Sequence, residues 1–200
     1  MHENVFNLSL LTPTGSRKYI NAAERNRFIQ AAESAPPADC LFFLTLGWSG
    51  ARISEVLALT PAAIDLNGGG ACLQTLKRRK RGIFRQVPLP PDLLARLDSH
   101  FDLSGAQRDI ERTSVRLWKW SRTTAWRRVK AVMAVAGIIG LPAMPKGLRH
   151  GFGVNAVQSN VPLPLLQKWL GHARIETTAI YLNVIGPDEH AFAARMWTTK

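Results

Sequence analysis

Arg149, His172 and Tyr181 fall within 33 positions near the C-terminus, each beside apolar residues at helical spacing. A second arginine, Arg52, lies far upstream in Ser49-Gly50-Ala51-Arg52-Ile53-Ser54-Glu55. Two arginines, a histidine and a tyrosine are the groups needed to transfer a phosphoryl group to a tyrosine hydroxyl. In-line attack on a phosphodiester builds negative charge on the non-bridging oxygens. Two guanidiniums can clamp those oxygens with bidentate hydrogen bonds that strengthen in the transition state. A tyrosine nucleophile keeps the energy of the cleaved bond in a covalent phosphotyrosine, so rejoining needs no ATP. The leaving sugar oxygen needs a proton, which a positioned lysine can give. A lone tyrosine in a helix is far more often core or surface than nucleophile, so the joint spacing carries the signal.

The composition supplies a fitting substrate. The chain has 200 residues, 26 Lys+Arg against 14 Asp+Glu, and a formal charge of +12. Such a balance favours nucleic acid or an anionic membrane surface. Cutting and rejoining DNA would use both the charge and the Arg/His/Tyr set. The length suits one domain or two small ones, large enough to bury a core without disulfides or metal staples. Cys40 and Cys72 lie 32 positions apart with no metal-ligand spacing and read as buried thiols in a reducing compartment. The N-terminus lacks a charged-then-apolar signal pattern, and the most apolar stretch, Cys40 to Trp48, is too short to span a bilayer. The expectation is a soluble cytoplasmic protein with no membrane role.

The elements that must position these residues follow from local pattern. Residues 1–20 read as a loose lead-in. Asn21 with Glu24 forms a capping-box signature opening a helix to about Ser34. Pro37 to Ser49 reads as a mostly buried helix stopped by Gly50, with apolar helical spacing continuing from Ile53 to Leu59. Thr60-Pro61 begins one short turn through Asp65. After the turn at Asn67 to Gly70, Ala71–Lys77 and Ile83–Leu89 read as two strands of a hairpin. A helix follows to about His100, then an ambiguous stretch over 101–117, a loop with a short strand. Thr123 to Ala136 is a strong helix ended by Gly137. Four more helices fall at about 147–159, 163–170, 175–183 and 187–197. The fold class is mainly α with one small antiparallel β-sheet (α+β).

Two segments concentrate charge. Lys77, Arg78, Arg79, Lys80, Arg81 and Arg85 put six cations into nine positions of the hairpin. Such a ribbon can enter a DNA groove, its cations on phosphates; the plainer alternative is a charged edge that deters strand pairing. Arg122, Arg127 and Arg128 lie on the helix that begins near Ser121, whose hydroxyls and N-terminus suit phosphate contacts. Trp118, Trp120 and Trp126 read as core anchors, the arginines as the DNA-facing side.

The segments Ser-Gly-Ala-Arg52-Ile-Ser-Glu55, Leu-Arg149-His-Gly-Phe, Leu-Gly-His172 and Thr-Thr-Ala-Ile-Tyr181 resemble the phage-integrase family of tyrosine recombinases. The resemblance runs from about Asn21 to the C-terminus, with 32 positions between Arg149 and Tyr181. It implies the tyrosine recombinase catalytic-domain fold, that of the DNA breaking-rejoining enzymes. It implies that Arg52 and Arg149 clamp the phosphate, and that Tyr181 attacks it to leave a 3′-phosphotyrosyl bond and a free 5′-hydroxyl. His172 would donate to a phosphate oxygen. Glu55 would orient the site without reacting. The hairpin general acid maps to Lys77, with Lys80 as the alternative.

Lys146 departs from the family pattern, which has a histidine three positions before the second arginine. His150, next to Arg149, is not that residue. A histidine near pKa ~6.5 can accept the tyrosine proton, whereas an unshifted lysine near ~10.4 cannot. Either clustered cations and burial lower Lys146, or it adds a third cation to the phosphate site. The second departure is size. Only 51 residues precede Arg52, so residues 21–186 read as a catalytic domain without a separate DNA-clamping domain. Residues 187–200 form a tail whose Phe192, Met196 and Trp197 pack either on a neighbouring protomer or on the chain's own core.

The sequence thus points to a site-specific recombinase acting on duplex DNA, with no metal, nucleotide or other cofactor. It would assemble as a homotetramer on paired sites, with accessory DNA-bending proteins as further partners, in the bacterial cytoplasm. The alternatives are a DNA-binding protein of the same fold that does not recombine, a type IB topoisomerase-like nicking-closing enzyme, and a basic helical module of unrelated fold.

Overall fold

A computed structural model describes residues 9–75 and 82–197, with Phe192, Arg195 and Met196 described in backbone only. Ten α-helices and three strands are assigned among these residues. The first helix, α1 (Ala22–Glu33), starts at the expected capping box: Asn21 Oδ1 accepts from the Glu24 N–H, and the Glu24 carboxylate accepts from the Asn21 N–H, both at 2.8 Å. The next, α2 (Pro37–Ser49), is buried without a break from Asp39 to Gly47. A helix apolar on all sides belongs at the centre of a core, and α2 packs against α1, α4 (Pro91–Phe101) and α7 (Pro145–Gln158).

Gly50 ends α2 with φ +60, and a Cβ there would overlap the Phe152 ring. Only glycine meets both conditions. The chain can therefore turn at once into α3 (Ile53–Val56), which carries Arg52 at its N-cap and Glu55 on its first turn.

The sheet has three strands in the order β1 (Ile64–Asp65), β2 (Gly70–Gln74), β3 (Phe84–Pro88), antiparallel throughout. The hairpin was expected; β1 was not. Ile64 and Asp65 pair with Ala71 and Gly70, so the short turn after Pro61 ends in an edge strand too brief for alternation to reveal. Residues 101–117 also differ from expectation. They hold α5 (Leu103–Ala106) and turns, with no strand among them.

The remaining helices are α6 (Arg122–Val135), α8 (Leu163–Leu170), α9 (Glu176–Ala179) and α10 (Pro187–Trp197). Ser121 caps α6 by accepting from the Thr124 N–H at 3.0 Å. Trp118 is buried against Phe42 and Phe101, and Trp120 packs on Phe42, as expected of core anchors. Trp126 is exposed. Cys40 is buried and Cys72 half-buried, both free thiols.

The buried side chains form two clusters. The larger gathers α1 to α6 and the sheet. The smaller joins Leu10, Tyr19, Phe152, Leu166, Leu170, Tyr181 and Val184. The described part of the lead-in, residues 9–20, is therefore not loose: Leu10 and Tyr19 are fully buried, and Leu11 bridges Arg17. Asp188 on α10 is buried and accepts from Gln158 on α7 at 3.0 Å, while Trp197 is exposed. No helix among the described residues is long and apolar enough to cross a membrane.

Candidate active site

Arg52, Arg122, Lys146, Arg149, His150, His172, Thr177 and Tyr181 line one cleft of about 480 Å³. It opens where the two apolar clusters meet. Five of the expected site residues, Arg52, Lys146, Arg149, His172 and Tyr181, come together here from α3, α7, the loop after α8 and the 3-10 turn Ile180–Leu182 that extends α9. None of the described residues lining the cleft is acidic. Lys77 and Lys80, and with them Arg78, Arg79 and Arg81, lie outside the described residues.

Arg149 is 7% exposed. Its Nη1 donates to the Gly50 carbonyl at 2.7 Å and its Nη2 to the Leu170 carbonyl at 2.6 Å. These bonds use two of its five N–H groups and fix the guanidinium plane. Burial, with Arg52 nearby, lowers its pKa to about 10, so the charge persists at neutral pH. Arg52 is more open, its side chain 30% exposed. Its Nη1 donates to Glu55 Oε1 at 2.8 Å, and its backbone N–H to Glu55 Oε2 at 2.9 Å.

Glu55 is fully buried and has a second partner that the sequence reading placed elsewhere. Arg85, expected among the DNA-facing cations, points inward. Its Nη2 donates to Glu55 Oε2 at 2.6 Å, its Nη1 to Thr75 Oγ1 at 3.0 Å and its Nε to the Trp169 carbonyl at 2.6 Å. Burial raises the Glu55 pKa, but Arg85 and then Arg52 outweigh it and hold the carboxylate below its ordinary value. The signal was present in the alternation of β3. Phe84 and Gln86 face out, whereas Arg85 shares the inward register with Val87. Arg128 stays at the surface, its side chain 42% exposed, while it donates to Asp39 at 2.6 Å and stacks on Trp120. Arg127 is exposed, and Arg122 lines the cleft.

Tyr181 is fully buried. Gly153 leaves the space its ring occupies; a Cβ there would overlap the ring. His172 stacks nearly parallel to it, with ring centroids 6.2 Å apart at 12°. The hydroxyl lies 3.2 Å from His150 Nδ1. Burial raises the Tyr181 pKa to about 12, against the pull of Arg149 and Arg52. Burial, then Arg149 and Arg52, lowers His172 to about 3, and burial, then Lys146 and Arg149, lowers His150 to about 3. Both imidazoles are neutral at pH 7. Thr178 Oγ1 lies 3.0 Å from His172 Nδ1, so its hydroxyl can donate there and leave Nε2–H free to donate. The Lys146 side chain is exposed at the cleft rim, not buried. The cleft can hold a tetrahedral anion between guanidiniums beside a protonated phenol. Thr178 was not singled out from sequence, and His150 was named there only to set it apart from the family's histidine, because both roles depend on contacts across helices.

Residues 18–185 match the model of the phage integrase family. The chain belongs to that family. The tyrosine recombinase XerD of Proteus mirabilis is 30% identical over 141 residues, covering 68% of this chain and 44% of its own length. The tyrosine recombinase XerA of Pyrococcus furiosus is 28% identical over 170 residues, covering 84% and 57%. The chain spans about half the length of these curated relatives. Among solved structures, a XerA recombinase superposes with a TM-score of 0.72 at 23% identity over 91% of this chain and 66% of that one. The catalytic domain of bacteriophage HP1 integrase gives 0.62 at 20%, over 88% and 93%. These likenesses establish the tyrosine recombinase catalytic-domain fold, mainly helical with a small antiparallel sheet.

Proposed function

We propose that the chain cuts and rejoins duplex DNA at specific sites through a 3′-phosphotyrosyl intermediate. The observation that carries this reading is the convergence of Arg52, Arg149, His172 and the Tyr181 hydroxyl on one cleft with no acidic lining. Arg52 and Arg149 clamp the non-bridging oxygens of the scissile phosphate, and His172 donates from Nε2 to the same group. Tyr181 forms the new P–O bond as the bond to the 5′ oxygen breaks. Lys77, or Lys80 in its place, gives that oxygen its proton. Glu55 aims Arg52 without touching the phosphate. Lys146 adds a third cation at the rim. Arg122 and Arg127, with the hairpin cations 78–81, hold the DNA backbone. The bond energy stays in the phosphotyrosine, so the cycle needs no nucleotide, and the cleft's own cations serve the charge without a metal. Strand exchange pairs two sites, which calls for four copies on the DNA, with DNA-bending proteins as helpers.

The relatives' own complexes support DNA as the substrate. A XerH site-specific recombinase is known bound to its palindromic difH substrate in a post-cleavage complex, and this chain superposes on it with a TM-score of 0.68 at 20% identity, covering 90% of this chain and 53% of that one. The test is incubation with duplexes nicked within inverted repeats taken from DNA flanking the coding sequence. A covalent adduct that is absent in Tyr181→Phe supports the reading. Tight binding with no adduct on any nicked site would replace it with the second reading, a DNA-binding protein that does not recombine. The full burial of Tyr181 favours that second reading. Relaxation of any supercoiled plasmid would instead indicate a nicking-closing enzyme.

A further inference from the structure

Tyr181 must lose a proton as it attacks, and the position where the family resemblance looks for the acceptor holds Lys146. A protonated lysine donates three hydrogen bonds and accepts none. Lys146 also sits exposed at the rim. The nearest described acceptor to the Tyr181 hydroxyl is on the next helical turn. His150 Nδ1 lies 3.2 Å from that hydroxyl, and the two rings are 5.8 Å apart at 53°.

The placement follows from α7. His150 and Gly153 are three positions apart on one helix and so share a face. The missing side chain at Gly153 lets the Tyr181 ring lie against the helix. The phenol oxygen then reaches back to His150. Arg149, one position earlier, holds α7 to the Gly50 and Leu170 carbonyls, so the same helix fixes the clamp and this imidazole together.

We infer that His150 is the catalytic residue that accepts the Tyr181 proton through Nδ1, taking the part that Lys146 cannot. This assignment rests on the strand-exchange reading above. In the step, the Tyr181 O–H bond breaks and its proton passes to Nδ1. The phenol oxygen forms the bond to phosphorus, and the P–O5′ bond breaks. The leaving oxygen takes a proton from the hairpin lysine. Transfer is uphill while the phenol is at rest. It becomes favourable as the forming P–O bond acidifies the phenol and the charge on the phosphate favours an imidazolium beside it. Burial, then Lys146, Arg149 and Lys18, keeps the resting imidazole neutral but also weakens it as a base, so the transfer depends on the phosphate charge to offset them.

The geometry allows a sharp test, because an asparagine amide oxygen takes nearly the place of histidine Nδ1 as a hydrogen-bond acceptor yet cannot take up a proton near neutral pH. Full-length wild type, His150→Leu and His150→Asn are compared on the nicked duplex that yields the wild-type adduct. Single-turnover adduct rate and DNA affinity are both measured. His150→Leu and His150→Asn should both slow the adduct about 100-fold at unchanged affinity, because the amide keeps the hydrogen bond but takes up no proton. With 3-fluorotyrosine incorporated, the Tyr181 fluorine resonance should move in His150→Leu and return in His150→Asn, which reads the contact without DNA. A wild-type rate in His150→Leu, or recovery of most of the rate in His150→Asn at a matching melting temperature, would overturn the assignment alone. A wild-type chain that forms no adduct would overturn strand exchange, and the assignment with it.

Discussion

Arg85 donates to Glu55 at 2.6 Å with both side chains almost wholly out of solvent, and that carboxylate is the one holding Arg52. The sheet thus reaches the proposed phosphate clamp through one shared acid. The same Arg85 grips the Trp169 carbonyl next to Leu170, the residue whose carbonyl orients Arg149. Both arms of the clamp are therefore referenced to one buried cation on β3.

Arg85→Met should destabilise the fold by about 3–5 kcal/mol, because it leaves Glu55 buried with a single half-exposed partner. Urea unfolding at pH 7 measures it. Glu55 is held below its unfolded pKa, so its contribution is present above about pH 4.3 and is lost as pH falls further. Glu55→Gln should remove that part of the acid dependence.

His150 and His172 follow the same sign over a different window. Their folded pKa values of about 3 lie below the unfolded value of about 6.5. Stability is complete above pH 6.5 and declines as pH falls toward 3. The double variant His150→Asn/His172→Asn should have a flatter unfolding midpoint between pH 6.5 and 4 than wild type, whatever its absolute stability.

Gly153→Ala should displace Tyr181, since the added methyl occupies ring space. A shift of this size in a nucleophile costs about 100-fold in rate. The adduct assay should register that loss while DNA affinity stays within about twofold of wild type.

Much of this arrangement was legible in the sequence. Asn21, Gly50, Ser121 and Gly137 mark helix ends by local chemistry, and local chemistry is what a sequence displays. The spacing of Arg52, Arg149, His172 and Tyr181 gave the cleft its members. Arg85 was misplaced because charge density is read along the chain, while its burial is decided by the alternation of β3 and by α8 packing over it. β1 escaped because two residues cannot show a period. The His150 contact with Tyr181 was out of reach, since it joins residues 31 positions apart through an empty side-chain position at Gly153.

Lys146→Ala should slow adduct formation, and Lys146→Arg should restore it, because an exposed rim cation acts by charge and not by proton transfer. The deficit should shrink as salt rises from about 0.05 to 0.3 M, where the Debye length shortens below the reach of a rim charge. A comparison of rates at the two salt concentrations measures this.

Arg25→Met should raise the melting temperature. Among the described residues, Arg25 Nε and Nη2 are buried with no hydrogen-bond partner, and the Trp48 face lies 4.3 Å from the charge. Two orphaned donors at about 1–3 kcal/mol each outweigh a cation–π contact of about 2 kcal/mol. Thermal unfolding in dilute buffer is the check.

Arg52, Arg122, Lys146 and Arg149 face one another across a cleft without an acid on its walls. An empty cleft is therefore a self-repelling one, and a polyanion seated there relieves the repulsion while binding only the folded chain. At a ligand concentration about 100 times Kd, that linkage adds about 2.7 kcal/mol of stability. Copies lodged on a polyanion would open less often and be spared by proteases, whereas copies adrift would be degraded sooner. The lifetime of the molecule, and so its abundance, would follow how many places it has to sit.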